Sequence, residues 1–320
     1  MRKTRKQTGG NMAEAQRRID KWVTNGNVKA ILNLSFLNLT ILPILPDNLT
    51  HLMCSNNELI ELPRLPDSLK ILSCHSNKLT SLPKLPHSLY ELICSKNKLT
   101  SLPILPNSLV MIICDHNELT EVPRFPNSLA ELICHNNKLT ILPKLPDSLY
   151  EIECFNNKLS TLPTLPDSLD KLWCGNNKLT RLPKLPNSLN VLDCNNNEIS
   201  TLPTLPDSLR YLNCETNNLP SIFYKTEEEE AEYVESEYED YVNRIRNLHQ
   251  SRKNLTNSFK PHITEKKRNA FANTRFKNMP KNVVKQIANY LNEEDLENIN
   301  INSLKPKNVK RGETRKLKKV

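Results

Sequence analysis

Cysteine is the residue of this sequence with the most evident chemistry, because a thiolate can act as a nucleophile or bind a metal ion. The 320-residue chain has nine cysteines, one every 20 residues. They are Cys54, Cys74, Cys94, Cys114, Cys134, Cys154, Cys174, Cys194 and Cys214. Their number is odd, and the C-x-x-C pairs that a zinc site would use do not occur. We therefore expect buried, reduced thiols that pack as small apolar side chains, and neither a disulfide ladder nor a metal array.

Histidine is the other candidate for acid–base or metal chemistry, but its positions form no pattern. His51, His75, His87, His116 and His135 fall on outward positions, without the spacing that a nucleophile and base or a metal site would need. The sequence also has no G-x-x-x-x-G-K-[ST] phosphate loop. It predicts no catalytic residue, no metal site and no cofactor, and hence a protein that is not an enzyme.

The cysteines belong to a longer repeat that must set their surroundings. Each lies in the frame L-x-x-[LI]-x-C-x-x-N-x-[LI], and most copies continue with L-P-x-L-P. Nine full copies follow a weaker one that has Leu32, Leu34 and Leu39 but lacks the Cys and the Asn. A unit of about 20 residues cannot bury its apolar face alone, so such units stack. The sequence therefore predicts a solenoid over residues 29–222.

Within each unit, the L-x-x-[LI]-x-C segment alternates as a short strand does. Leu72 and Cys74 are expected to point inward, Ile71 and Ser73 outward, and neighbouring copies to pair as parallel strands. The nine repeat asparagines, from Asn57 to Asn217, should turn inward and satisfy backbone groups. Two prolines per copy favour an extended, polyproline-like return limb on the convex side.

This frame resembles the leucine-rich repeat family, and its doubled L-P-x-L-P resembles the short 20-residue class of secreted bacterial effectors. The resemblance covers residues 32 to about 222 and implies a leucine-rich repeat solenoid, a parallel β-strand horseshoe flanked by helical regions. Such effectors often carry a C-terminal ubiquitin-ligase domain with a nucleophilic cysteine, which we do not expect here because the last cysteine is Cys214. The Asn-, Lys- and Ile-rich composition also resembles proteins of A/T-rich genomes, such as those of giant amoeba viruses or intracellular bacteria.

Other patterns flank the repeats. Residues 1–12 are predicted to be a basic, disordered tail, and residues 13–28 a helical cap over the edge of the first strand, with membrane binding as the alternative. The spacing of apolar residues over 226–253 predicts a helix with an acidic start and a basic end. This helix either caps the last repeat or forms a coiled coil with a partner. Residues 254–277 are predicted to be a linker, and residues 305–320 a basic tail.

Residues 278–304 have the pattern of two short amphipathic helices, with Pro280 suited to open the first and Asn292 to cap the second. The segment resembles the opening of an F-box, which implies binding to the Skp adaptor of cullin ubiquitin ligases. The residues that match the F-box pattern are Met279, Pro280, Val283, Val284, Ile287, Tyr290, Leu291, Asp295 and Leu296. The family's later Val-Cys-Lys-Trp stretch is absent, and the segment follows the repeats instead of preceding them. An ordinary helical tail is the alternative.

The outward strand positions should line the concave face, which is the usual binding surface of such a solenoid. Apolar, aromatic and acidic residues adjoin one another there. The predicted partner-binding residues are Glu91, Ile93, Met111, Ile113, Glu131, Ile133, Glu151, Glu153, Phe155 and Trp173. Aromatic anchors with an acidic rim favour a protein partner that carries basic groups. The alternative is that β-branched residues simply suit exposed strands.

The charge of the chain is unevenly distributed. The net charge of +9 divides into +6 for residues 1–29, −3 for residues 30–220 and +6 for residues 221–320. No apolar run reaches the roughly 18 residues that a membrane span needs, and the basic N-terminus leads into a polar segment instead of an apolar signal core. We therefore predict a monomer that is intracellular in a host cell, in the cytoplasm or the nucleus, with no membrane partner.

Together these features predict a non-enzymatic protein–protein interaction module that binds a protein on its concave face. It would serve either as a substrate receptor for a Skp–cullin-type ubiquitin ligase or as a stand-alone scaffold or host-interaction protein. Nucleic-acid binding through the basic termini ranks last, because the concave face is acidic and apolar.

Overall fold

The computed structural model describes residues 10–220, which form one helix and ten short strands. The predictions for the first nine residues and for residues 226–320 lie outside this range. Helix α1 spans Met12–Asn25. The strands in chain order are β1 Leu32–Asn33, β2 His51–Met53, β3 Ile71–Ser73, β4 Glu91–Ile93, β5 Met111–Ile113, β6 Glu131–Ile133, β7 Glu151–Glu153, β8 Lys171–Trp173, β9 Val191–Asp193 and β10 Tyr211–Asn213.

The ten strands form a single parallel sheet in which spatial order follows chain order. Each residue pairs with the one 20 positions later, as Leu72 does with Leu92 and Leu92 with Ile112. The middle residue of each three-residue strand is buried. This burial specifies the strand register, because a one-residue slip would turn the apolar position toward solvent. The predicted solenoid of parallel strands is confirmed.

Leucine and cysteine fill the interior between the strands and the return limbs. Leu69, Leu72, Cys74 and Leu79 of one repeat are all fully buried, and the nine cysteines are buried free thiols. Burial raises the pKa of Cys74 and of Cys154 to about 12, because an apolar surrounding disfavours the thiolate. Each repeat covers the interior of the next, so the array grows lengthwise without needing one large core.

The repeat asparagines form a hydrogen-bonded ladder at the bend after each strand. The Nδ2 group of Asn97 donates to the carbonyl oxygens of Cys94, at 3.0 Å, and Cys74, at 3.1 Å. Its Oδ1 accepts from the amide of Leu79 at 3.0 Å. The same bonds recur from Asn57 to Asn217. The predicted inward turn of these side chains is confirmed, and it satisfies backbone groups that are out of reach of water.

A second ladder, which was not predicted from the sequence, joins the return limbs. The Ser88 hydroxyl donates to the carbonyl oxygens of Asp67 and Leu69 in the preceding repeat, at 2.7 Å each. The limb itself contains no helix between residues 30 and 220, and a tight turn closes it where the Leu89 amide donates to the carbonyl of Pro86 at 3.1 Å. On the return limbs, serine therefore hydrogen-bonds to backbone carbonyls of the preceding repeat, as asparagine does at the strand ends.

Helix α1 packs against the first strand. Ala15, Ile19 and Trp22 are buried on one helix face, and Val23 is exposed. The indole of Trp22 donates to the carbonyl of Ala30 at 2.8 Å, and the Arg18 guanidinium donates to the carbonyl of Asn33 at 3.0 Å. These contacts place the helix where the parallel sheet would otherwise present an open edge.

Ser73 points outward as predicted but is buried. It occupies an outward strand position, yet it is only 6% exposed. Its hydroxyl lies 2.9 Å from the hydroxyl of Ser55. An outward position on a strand is therefore not the same as an accessible one.

Candidate interaction surface

The strand face, which we define as the first and third residues of strands β2–β10, carries nine of the ten predicted partner-binding residues. In its middle, Ile93, Ile113 and Ile133 are aligned in register on β4, β5 and β6. All three are half-buried. We call these three residues the apolar strip. In the same register the row continues to Glu153 and Trp173.

Acidic residues border the apolar strip along the first positions of the same strands. Glu91, Met111, Glu131 and Glu151 follow one another in register. Two of the carboxylates have partners within the protein. Glu131 accepts a hydrogen bond from the Tyr150 hydroxyl at 3.2 Å, and Glu151 pairs with the Lys171 ammonium at 3.2 Å. The rim predicted from the sequence is thus present as a row, with part of its charge already neutralised.

Ionisation of the Glu153 carboxyl is hindered on this surface. Its pKa is raised by burial, and further by the nearby carboxyls of Glu151, Asp115 and Glu131. Desolvation and like charge both disfavour its charged form. A cationic group placed here would reverse that effect, so the electrostatics of this region favour a positively charged ligand.

Two aromatic contacts lie beyond the strip. Trp173, on β8, lies 5.7 Å from Tyr211 between ring centroids. Phe155, which follows the end of β7, stacks on His135 with a centroid distance of 4.1 Å and an interplanar angle of 13°. Of the ten predicted partner-binding residues, nine therefore lie on strands β4–β8, and Phe155 lies just past the end of its strand.

Two histidines and an aspartate meet at the C-terminal ends of β5 and β6. Nδ1 of His116 lies 2.7 Å from Oδ2 of Asp115, and Nε2 of His135 lies 4.0 Å from that oxygen and 3.7 Å from Oε2 of Glu153. The residue at position 116 has a positive φ of 51°, as do its counterparts in the other repeats, and this turns the chain sharply after the strand. The turn brings His116 back beside its neighbour.

The prediction that the histidines are scattered is wrong for His116 and His135. Asp115 and His135 are 20 residues apart, so they occupy the same position in consecutive repeats and become neighbours across the sheet. The signal was available in the period itself, since residues one repeat apart are adjacent in space. Motifs along the chain do not show it, because Asp115 and His135 belong to different repeats.

The sequence of repeats and the geometry of the sheet agree with solved structures. No family model matches the chain, and no curated protein does. Among solved structures, the chain is similar to YopM of Yersinia pestis, described as a leucine-rich effector protein. The identity is 39%, with 68% of this chain and 62% of that chain covered and a TM-score of 0.64. YopM of Yersinia enterocolitica WA-314 is 34% identical over 67% of this chain and 56% of that chain, with a TM-score of 0.52.

The chain is a leucine-rich repeat protein. It spans about six tenths of the length of the two Yersinia proteins. Both are bacterial, in agreement with the resemblance to bacterial effectors, and they lend no support to the resemblance to viral proteins. Leucine-rich repeat solenoids of this kind are typical protein-interaction scaffolds, because the stacked strands present a continuous surface.

The F-box-like residues Met279 to Leu296 and the helix predicted over residues 226–253 lie outside the described part of this leucine-rich repeat protein. Within residues 10–220, no helix is long and apolar enough to cross a membrane.

Proposed function

We propose that this leucine-rich repeat protein is a non-enzymatic interaction module that binds a protein partner through the strand face between β4 and β8. The observation that carries the proposal is the apolar strip, in which three isoleucines adjoin in register and remain partly accessible. Contiguous outward apolar groups of this kind are typical of contact sites. A partner would bury apolar surface against the strip, and the residues around the strip would select which partner binds.

The acidic rim defines the chemistry of the partner. Glu91, Glu131 and Glu151 border the strip, and Glu153 is held where its negative charge is poorly solvated. A segment with apolar side chains flanked by Lys or Arg would bury against the strip and neutralise the rim. Nucleic acid is a weaker candidate, because its phosphates would be repelled by the same carboxylates.

The test compares two isoleucines that receive the same substitution. Ile113→Asp places a charge in the middle of the apolar strip, whereas Ile104→Asp changes a side chain on the return limb that is 88% exposed. Full-length wild type and both variants would be used to capture proteins from a eukaryotic lysate, with quantification by mass spectrometry. We expect at least one protein to fall about tenfold or more with Ile113→Asp alone, as for loss of an interface anchor. Equal recovery by all three chains would refute the strand face as the binding surface.

We further propose that the residues from 278 to 304 connect this module to a Skp–cullin-type ubiquitin ligase. The proposal is supported by the F-box-like pattern of Met279, Pro280 and the apolar residues that follow. The same capture with a chain ending at residue 276 tests it. A Skp-type adaptor and a cullin should be recovered with the full chain and lost on truncation. If neither is recovered with the full chain, the protein acts as a stand-alone scaffold or host-interaction protein. The prediction of a host-cell location would then be tested by whether the chain captures other host proteins.

A further inference from the structure

The cluster at the C-terminal ends of β5 and β6 combines the side chains that bind transition metals. Asp115, His116 and His135 each offer one ligand atom, and these three atoms lie within 4.8 Å of one another. Four ligands around a tetrahedral zinc ion, at about 2.0–2.1 Å from the metal, are about 3.3 Å apart. The observed separations of 2.7 Å and 4.0 Å from Oδ2 of Asp115 to the two imidazole nitrogens bracket that value. Small side-chain rotations would suffice to bring the atoms to coordinating distance.

Two of the three ligands are already held in place. The Asp115 side chain is 11% exposed and the His135 side chain 14%, whereas the His116 side chain is 47% exposed and leaves one side open. The His135 ring is fixed by its stacking on Phe155, and its Nδ1 lies 2.7 Å from the amide group of Asn136. A metal on Nε2 would leave the ring proton on Nδ1. If the Asn136 amide turned over, its Oδ1 would accept a hydrogen bond from Nδ1–H and give up the one it now accepts from Nδ2 of Asn156.

We propose that Asp115, His116 and His135 form a binding site for a divalent first-row transition-metal ion, with Zn²⁺ as the best match. Two imidazoles and a carboxylate are a ligand set that zinc commonly takes, and they leave a fourth position open. Glu153, 3.7 Å from Nε2 of His135, can fill that position or hydrogen-bond to a water molecule that does. The cation would also balance the charge of the Asp115 and Glu153 carboxylates, which lie 4.0 Å and 3.7 Å from Nε2 of His135.

The first experiment measures Zn²⁺ binding to the full-length, chelator-treated protein by isothermal titration calorimetry. We expect one ion per chain. His135→Phe removes a ligand but keeps an aromatic ring to stack on Phe155, and Asp115→Asn weakens the carboxylate ligand. Each should lower the affinity by at least about a hundredfold. The matched control is His75→Phe, the same change at the same repeat position outside the cluster, and it should leave the affinity unchanged.

A second readout uses Co²⁺ to separate this site from the nine thiols. Cobalt on nitrogen and oxygen ligands gives d–d absorption without a thiolate-to-metal charge-transfer band. The d–d absorption should be lost with His135→Phe and kept with His75→Phe, while circular dichroism verifies that each variant is folded. The proposal is overturned if wild type binds no stoichiometric Zn²⁺, if a thiolate band appears on the folded protein, or if the two His→Phe variants bind equally well.

Discussion

The interior and the strand face of this protein are built by the same period of 20, yet they differ in how much the repeats vary. In the interior, the position of Cys114 is cysteine in all nine full copies. On the strand face, the position of Ile113 varies along the sheet. Along the sheet it is occupied by Met53, Ser73, Ile93, Ile113, Ile133, Glu153, Trp173, Asp193 and Asn213.

The contrast has a physical cause. An interior side chain packs against its own counterparts in the repeats before and after it, so one shape repeated fits everywhere. A strand-face side chain has solvent on one side and can change without disturbing the stack. All repeats therefore contribute to stability in the same way. Any binding specificity resides in the few repeats whose outward residues form a distinct patch.

Thiol reactivity should show the largest difference between the folded and the unfolded chain. Burial raises the pKa of Cys74 and Cys154 to about 12, so only a minute fraction of each is thiolate at neutral pH. We expect alkylation by iodoacetamide at least about a thousandfold slower in the native protein than in denaturant, where thiols have a pKa of about 8.5. Peptide mapping after a short pulse measures each site. Rapid native labelling of Cys74 would show that the interior opens.

Adjacent isoleucines on β5 give the most direct test of the contrast. Ile112 is fully buried, whereas Ile113 is half-buried on the strand face. Ile112→Ala should lower the free energy of unfolding by about 3 to 4 kcal/mol through a cavity, as measured by urea denaturation. Ile113→Ala should cost less than about 1 kcal/mol. Similar losses for the two variants would mean that the strand face is part of the core.

The asparagine ladder should show a smaller contrast between two neighbouring asparagines. Asn197 is buried, donates to the carbonyls of Cys174 and Cys194, and accepts from the amide of Leu179. Asn197→Ala leaves these groups unsatisfied, and we expect a loss of about 2 to 3 kcal/mol. Exposed Asn196 has a φ of 48°, and its Nδ2 donates to Oδ1 of Asn176, so Asn196→Ala should cost about 1 kcal/mol, mainly from the left-handed backbone. Thermal unfolding of both variants checks the order, and a reversal would contradict the role of the ladder.

The exposed ion pairs should matter least. Lys138 lies 2.8 Å from Glu118 in the preceding repeat, and both side chains are about half exposed. Because solvent and salt screen such a pair, Glu118→Gln should leave the melting temperature within experimental error of wild type at low and at high salt. A clear drop that disappears in high salt would show that charge between repeats contributes to stability after all.

Much of the fold could be predicted because repetition makes the register unambiguous. The parallel strands, the inward asparagines and the buried cysteines follow from a frame repeated nine times, and all are present. The outward position of Ser73 was predicted, but its burial was not. The serine ladder was not predicted, because a hydroxyl that bonds to the preceding limb leaves no mark in hydropathy.

The sequence by itself determined the architecture and the residues of the apolar strip, because a strict period specifies which positions are inside and which repeats are neighbours. The period also makes Asp115, His135 and Phe155 neighbours across the repeats. Only the tertiary structure decided that His116 turns back to Asp115 and that Phe155 stacks on His135. Those contacts depend on the turn at His116 and on side-chain rotamers across the sheet. Both arise from packing between repeats, which the order of residues along a single repeat does not contain.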